Sequence, residues 1–171
     1  MNEVIKNLME RRSCRSYKSE QISETELDAV LEAGVWAPTG MNRQAVKLVA
    51  VTDPETVKKL SKMNADVMGT DTDPFYGAPA VVIVFADSDV YTWVEDGSLA
   101  MGNMLNAAHS LGLGSCWIHR AREMFDCAEG RKMAKEWGIP DSYRGVGNCI
   151  LGYPASPSAP RLRKSGRIVK L

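Results

Sequence analysis

The sequence predicts a single domain of mixed α and β structure. Its 171 residues are enough to enclose one hydrophobic core. Segments with apolar residues at helical spacing alternate with short runs of apolar, β-branched residues, and these two patterns are typical of helices and strands. We expect about five helices and about four strands, with no internal repeat and no low-complexity segment.

The first half of the chain predicts three helices and one strand. Apolar residues at helical spacing indicate a first helix near 3–11, and a capping box at 23–26 begins a second helix that Gly34 ends. An apolar run at 46–51 predicts a strand. Asp53 and Pro54 suit the cap and first position of a third helix. Residues 64–78 lack clear periodicity, and we expect a long loop or lid there, which can include a helical turn.

The second half predicts the buried centre of the domain. Residues 80–86 are apolar throughout, which is typical of a strand buried on both faces. Residues 92–111 predict the longest helix, and its small and apolar residues indicate burial on most sides. We expect a strand or extended stretch at 115–118, a helix at 122–137 and a last strand at 146–151. The proline-rich tail from Tyr153 is expected to be extended.

Composition narrows the range of functions. Lys plus Arg and Asp plus Glu both number 21, and this balance argues against a nucleic-acid partner, whose binding surface is usually strongly basic. No apolar run approaches the roughly 20 residues that span a bilayer, and the N-terminus lacks the plan of a signal peptide. We therefore expect a cytoplasmic protein without a membrane partner. The four scattered cysteines indicate free thiols and no metal site.

Three polar stretches carry the candidate site. The first, 11–15, holds three arginines, whose planar guanidinium groups match a phosphate. The second, 37–44, combines a tight Pro and Gly backbone with Asn and Gln amides that can pair with the edge of a flat ring. The third, 161–164, is basic. We expect the first and third to hold one phosphate and the second to lie against the ring, and the best candidate for such a ligand is FMN.

Each stretch also has an ordinary interpretation. The first could be a solvated loop with ion pairs, and the second a simple turn between a helix and a strand. Cys14, placed between cations, could be a reactive thiol, although an inward-facing apolar side chain is favoured. Gly112 and Gly114 end a helix and lack a third glycine, which excludes a dinucleotide fingerprint. His119 could transfer protons near neutral pH.

Taken in order, these features resemble the nitroreductase family of flavoproteins over nearly the whole chain. The similar elements are 11–15, 37–44, the long small-residue helix before 112–118, the stretch 151–154 and the basic tail. The resemblance implies an α+β fold, a three-layer α-β-α sandwich with a central mixed, mostly antiparallel sheet. It also implies one domain over 1–171 in a homodimer with FMN at the interface, and a tail, 153–171, that reaches the partner subunit.

The resemblance also implies roles for individual residues. Arg11, Arg12 and Ser13 would contact the phosphate and ribityl chain, and Arg15 would lie near the pyrimidine edge, where a fixed cation raises the flavin potential. The second stretch would come from the partner subunit. No protein residue is expected to be catalytic, because flavin N5 carries the chemistry. The expected cofactor-binding residues are Arg11, Arg12, Ser13, Arg15, Pro38, Thr39, Gly40, Asn42, Gln44, Trp117, Ile118, His119, Arg161 and Arg163.

The implied activity is the reduction of an electron-poor acceptor, such as a nitro compound or a quinone. NAD(P)H would deliver hydride to flavin N5 and leave before the acceptor enters, which is a ping-pong cycle. A flavin sensor or store with little turnover, a specialised reaction such as dehalogenation, and an anion- or nucleic-acid-binding domain remain as alternatives. Ala45-Val46 replaces the Pro-Trp that is common in the family. The 64–78 segment is short compared with that of larger members of the family, which suggests an open pocket.

Overall fold

The computed structural model describes residues 1–156, 159 and 162–171. Helices and strands alternate along the described chain, and a short 3₁₀ turn, Gly40–Asn42, precedes the first strand. The helices and strands, in order, are α1 (Glu3–Glu10), α2 (Glu24–Val35), β1 (Val46–Val51), α3 (Pro54–Met68), β2 (Ala80–Asp87), α4 (Trp93–Ser110), β3 (Gly114–Ile118), α5 (Ala121–Asp126), α6 (Ala128–Glu136) and β4 (Tyr143–Gly152).

The four strands form one sheet in the order β1-β2-β4-β3, and every neighbouring pair is antiparallel. One row of the register runs through Val49, Ile83, Asn148 and Ile118. The parallel component that we expected is confined to an isolated bridge between Ser13 and β3. The strand β3 lies at the edge of the sheet.

Two hydrophobic clusters cover the two faces of the sheet. Side chains alternate across a strand, so Ile83 and Phe85 of β2 pack with α3, α5 and α6, whereas Val82 and Val84 pack with α2 and α4. The result is a layer of helices on each face of a buried sheet. The predicted α+β fold with three layers is confirmed, and β2 is buried on both faces as its composition indicates.

The predicted helix starts are also confirmed. The Ser23 hydroxyl accepts a hydrogen bond from the Glu26 N–H (3.2 Å), and the Glu26 carboxylate accepts one from the Ser23 N–H (2.9 Å), which completes the capping box of α2. Asp53 caps α3 by accepting from the Thr56 N–H (2.9 Å). None of the helices in the described part of the chain is long and apolar enough to cross a membrane.

The prediction of a loop from residue 64 is wrong for its first five residues. The helix α3 continues to Met68 and buries Met63, Asn64 and Ala65. Gly69 ends it with φ 70°, in the left-handed conformation that glycine favours at helix ends. The mixed polar composition of this last part concealed its helical face.

The single helix predicted at 122–137 is two helices, α5 and α6. Cys127 separates them with φ −75° and ψ 163°, an extended conformation, and its Sγ accepts a hydrogen bond from the Gly130 N–H (3.4 Å). The corner is tight, because a Cβ on Gly130 would lie 2.0 Å from the Met124 carbonyl oxygen. The last strand is also longer than the predicted 146–151, since β4 begins at Tyr143.

Candidate functional site

The segment after α1 is bound to both the sheet and the beginning of the tail. Ser13 bridges to Ser115 of β3, and the Cys14 N–H donates to the Ser115 carbonyl (2.9 Å). Tyr17 then bridges to Pro154. These contacts bring the first arginine stretch beside the C-terminal tail.

A cavity of about 710 Å³ opens where the two segments meet. Arg11, Arg12, Arg15 and Arg163 all line it, and the described lining contains no carboxylate. The first and third polar stretches therefore face one space, as we expected. Arg161 lies outside the described residues. The lining residues are Arg11, Arg12, Ser13, Cys14, Arg15, Ser16, Ser156, Ala159 and Arg163.

Two guanidinium nitrogens of this cavity have no hydrogen-bond partner among the described residues. They are Nη1 of Arg11 and Nε of Arg12, and both are buried. Nη1 of Arg12 donates to the carbonyls of Met9 and Arg11, both at 2.7 Å, and this fixes the guanidinium plane. A buried charged donor without a partner is costly, so the arrangement favours an anion with several oxygen acceptors.

Two cysteines lie near the arginines, and the buried thiol of Cys149 does not supply that negative charge. Cys14 is 3% exposed, which confirms the inward-facing interpretation, and its Sγ lies 3.2 Å from the Ser16 carbonyl. Burial raises the pKa of Cys149 to about 12, and Arg11 acts in the opposite direction. Cys149 is therefore neutral near pH 7, and Arg11 has no counter-charge from it.

The second polar stretch is held by a buried carboxylate. Asp96, in the first turn of α4, is 3% exposed and accepts from the Gly40 N–H (2.9 Å) and the Thr92 hydroxyl (3.1 Å). A Cβ on Gly40 would lie 2.3 Å from the Thr92 oxygen, so this close approach requires glycine. The loop is thus fixed to the start of the longest helix.

The backbone of this loop is strained. Met41, Asn42 and Gln44 have φ values of 54°, 53° and 52°, in the left-handed region that non-glycine residues seldom adopt. The Gln44 N–H donates to the Thr39 hydroxyl (3.0 Å), and the Gln44 amide donates to Asn42 Oδ1 (3.1 Å). Strain that the surroundings maintain is typical of functional loops. No residue of Pro38–Gln44 lines the arginine cavity of its own chain.

The third predicted group lies at the end of β3. Ile118 is buried, Trp117 is partly buried, and the His119 side chain is exposed. The indole Nε1 of Trp117 is buried and has no hydrogen-bond partner within the described residues. These residues do not line the arginine cavity either, but they belong to the strand whose Ser115 bridges to Ser13.

A larger cavity, of about 870 Å³, lies between α3 and residues 70–79. It contains none of the predicted site residues, and lysines and carboxylates are mixed along its wall, including Lys58, Lys62, Glu55 and Asp71. Its three lysines are balanced by three carboxylates, and its described lining includes no buried side-chain donor without a partner. The arginine cavity is therefore the better candidate.

Comparison with known proteins identifies the family. The model of the Nitroreductase family matches residues 8–72 and 69–153. The chain belongs to the nitroreductase family. An Archaeoglobus fulgidus protein, provisionally named NADH dehydrogenase/NAD(P)H nitroreductase, is 34% identical over an alignment of 160 residues. The alignment covers 90% of this chain and 87% of the relative. A Bacillus subtilis FMN reductase [NAD(P)H] is 29% identical, and the alignment covers 95% of this chain and 70% of that protein.

Solved structures of the nitroreductase family have the same fold. A nitroreductase with bound FMN from Bacteroides fragilis is 30% identical and superposes with a TM-score of 0.92 over all of both chains. A second, with bound FMN, from Desulfitobacterium hafniense, is 27% identical with a TM-score of 0.90 over 100% of this chain and 99% of that one.

Sequence reasoning missed three buried polar residues of this chain. Asp96, Asn64 and Asn148 are almost fully buried, and each binds the backbone of a loop or strand end that belongs to the predicted site. Two of these residues could have been recognised from the sequence. Asn148 is a single asparagine inside the apolar run 146–151, and Asp96 is an acidic residue in a helix expected to be buried. Asn64 gave no such signal, because its segment was assigned to a loop.

Proposed function

We propose that this chain binds FMN and uses NAD(P)H to reduce electron-poor acceptors, such as nitro compounds or quinones, in a ping-pong cycle. The observation that carries this proposal is the arginine cavity. Among the described residues, two of its buried guanidinium nitrogens have no partner and its lining holds no carboxylate. The FMN phosphate has the charge and the oxygens that these donors require. Family membership and the names of the relatives, which include FMN reductases, support the same cofactor.

The residues of the cavity fit distinct parts of the cofactor. Arg11, Arg12 and Arg163 would hold the phosphate, and Ser13 would contact the phosphate or the ribityl chain. Arg15 is exposed at the same cavity, and its charge would stabilise the negative charge that two-electron reduction places on the pyrimidine edge. FMN, when bound, supplies the hydride chemistry, and the protein binds and orients it. We propose that Arg161 joins the phosphate contacts.

We further propose that the flavin ring lies between two copies of this chain. The loop Pro38–Gln44 is well ordered by Asp96 but does not reach the cavity of its own chain. A partner's loop could therefore cover the ring, with Pro38, Thr39, Gly40, Asn42 and Gln44 against it. Trp117, Ile118 and His119 would approach the ring near N5, mainly through backbone groups.

The surface of α1 supports the dimer. This helix has no buried residue, and Val4, Leu8 and Met9 are 68%, 48% and 59% exposed although they form an apolar stripe. Such a stripe is typical of an interface that another chain covers. Leu162 and Ile168 of the tail are also exposed. We therefore propose one domain over 1–171, whose tail, 153–171, reaches the partner subunit.

The experiment that tests the function is the visible absorbance spectrum of the purified protein, before and after anaerobic addition of NADH or NADPH. We expect a yellow protein that bleaches and is reoxidised by a nitro compound or quinone. A yellow protein that does not bleach would support a flavin sensor or store instead. A protein that stays colourless after FMN is added and removed by gel filtration would overturn the proposal.

A further inference from the structure

In the part of the chain that the structure describes, the edge of β3 beyond Ser115 is open. Among these residues only β4 pairs with β3 in the sheet, and the segment after α1 covers its other side at Ser115. From Ser115 to His119 the strand extends four residues, about 13 Å at 3.3 Å per residue. A ligand whose phosphate lies in the arginine cavity could therefore extend along this edge toward His119, and backbone groups at the strand end would meet its ring.

Two fully buried asparagines hold that strand end. The Asn64 amide donates to the His119 carbonyl (2.7 Å). The Asn148 amide donates to the carbonyls of Ile118 (3.2 Å) and His119 (3.4 Å). The His119 carbonyl thus accepts from two elements, α3 and β4, which fixes its direction toward the interior.

The direction of one carbonyl determines the direction of the next N–H. No described peptide bond is cis, and in a trans peptide the C=O and N–H point in opposite directions. The Arg120 N–H therefore points away from the two asparagines, and it has no backbone hydrogen-bond partner among the described residues. Arg120 adopts φ 75°, and its Nε donates to Asn64 Oδ1 (3.1 Å), so Asn64 also holds the residue after the peptide.

Stability alone does not account for this pair. Asn148 Oδ1 is buried and has no hydrogen-bond partner in the described part of the chain, and an unsatisfied buried acceptor destabilises the folded state. An apolar residue at this position of an otherwise apolar strand would avoid that cost. The unfavourable burial of this oxygen accompanies the two hydrogen bonds that the Asn148 amide donates to the strand end.

We propose that Asn64 and Asn148 are positioning residues, which hold the His119–Arg120 peptide so that the Arg120 N–H is presented to N5 of the flavin. This inference rests on the proposed function. N5 of oxidised flavin is a hydrogen-bond acceptor, whereas N5 after two-electron reduction carries a hydrogen. A fixed N–H donor at N5 therefore favours the oxidised cofactor and lowers its reduction potential.

The test is the midpoint potential of FMN bound to Asn64→Ala and Asn148→Ala. We expect both potentials to rise, because the peptide can rotate and the donor at N5 is weakened. A tenfold change in the ratio of affinities for oxidised and reduced FMN corresponds to about 30 mV for a two-electron couple. Asn103→Ala is the matched control, since Asn103 donates to the Ala33 carbonyl (3.0 Å) between α4 and α2, and its potential should not change.

A second measurement uses the unaltered protein. Amide hydrogen exchange should be fast at the Arg120 N–H without FMN and slower with FMN bound. Unchanged potentials in variants that bind FMN, or no slowing at Arg120 if the variants do not fold, would overturn the positioning role while leaving the flavin function intact. An unaltered protein that binds no FMN would overturn both.

Discussion

At the scale of single residues, the phosphate assignment can be tested with two arginines. Arg11→Ala and Arg12→Ala should each weaken FMN binding roughly 10- to 100-fold, since a hydrogen bond to a charged group contributes about 1.5–3 kcal/mol. The measurement is the dissociation constant of the apoprotein, from quenching of FMN fluorescence. Binding of riboflavin, which lacks the phosphate, should be affected far less.

Lys58→Ala is the charge-matched control for these variants, because Lys58 lines the other cavity, on α3. If Arg11→Ala and Arg12→Ala bind FMN as tightly as Lys58→Ala does, the arginine cavity does not hold the phosphate. Equal losses for FMN and riboflavin would indicate a general distortion of the site.

The role of an individual residue could be predicted from the sequence where its chemistry allows few environments. Three arginines in five residues require an anion or acids nearby, so their clustering could be recognised without coordinates. Met41 and Gln44 have no such restriction, and their left-handed backbone accompanies the bond from Gln44 to Thr39 and the anchoring of Gly40 by Asp96. Asp96 is 56 positions from Gly40, so the strain could not be predicted.

At the scale of elements, the loop before β1 depends on the first turn of α4. Asp96→Ala should lower the free energy of unfolding by about 1–3 kcal/mol, because the Gly40 N–H and the Thr92 hydroxyl lose their acceptor. Urea denaturation measures this change, and the exposed Asp89→Ala is the control. FMN binding should weaken as well, and an unchanged stability would show that the loop keeps its shape without Asp96.

The connection between α2 and the tail should be sensitive to acid. Glu26 accepts hydrogen bonds from Ser23 and from the Tyr153 hydroxyl (2.7 Å), and these bonds lower the pKa of Glu26. A carboxyl group whose pKa is lower in the folded state than in the unfolded state stabilises the protein at pH values above its unfolded-state pKa, about 4.3. This contribution is lost as the pH falls through the folded-state pKa. Glu26→Gln should therefore lose less stability than the parent between pH 5 and pH 3.

Thermal unfolding at each pH measures this difference, and Glu24→Gln, in the same helical turn, is the control. Parallel pH profiles for the parent and Glu26→Gln would show that Glu26 does not contribute to the acid sensitivity. The capping half of this arrangement was visible in the spacing of Ser23 and Glu26. The bond to Tyr153 was not, because it joins residues that are 127 positions apart.

At the scale of the whole molecule, the sequence predicted the layers better than the outer surfaces. The apolar run of β2 and the long helix α4 fixed the buried centre, since a segment without a polar face has few places to lie. The stripe of α1 had the same helical spacing as a buried face, yet the structure leaves it exposed. Periodicity shows that a face is apolar but does not show whether the same chain or another one covers it.

The last prediction tests what covers α1. Leu8→Glu should convert the proposed dimer to a monomer and release FMN, because a charge in an apolar interface is costly and the monomer would lack the second copy of the 38–44 loop. Sedimentation velocity and the FMN dissociation constant measure the two effects on the same samples. Val67→Glu is the control, since Val67 is an exposed apolar residue of α3. A Leu8→Glu protein that remains dimeric and yellow would exclude α1 from the interface, whereas a dimer without FMN would separate assembly from cofactor binding.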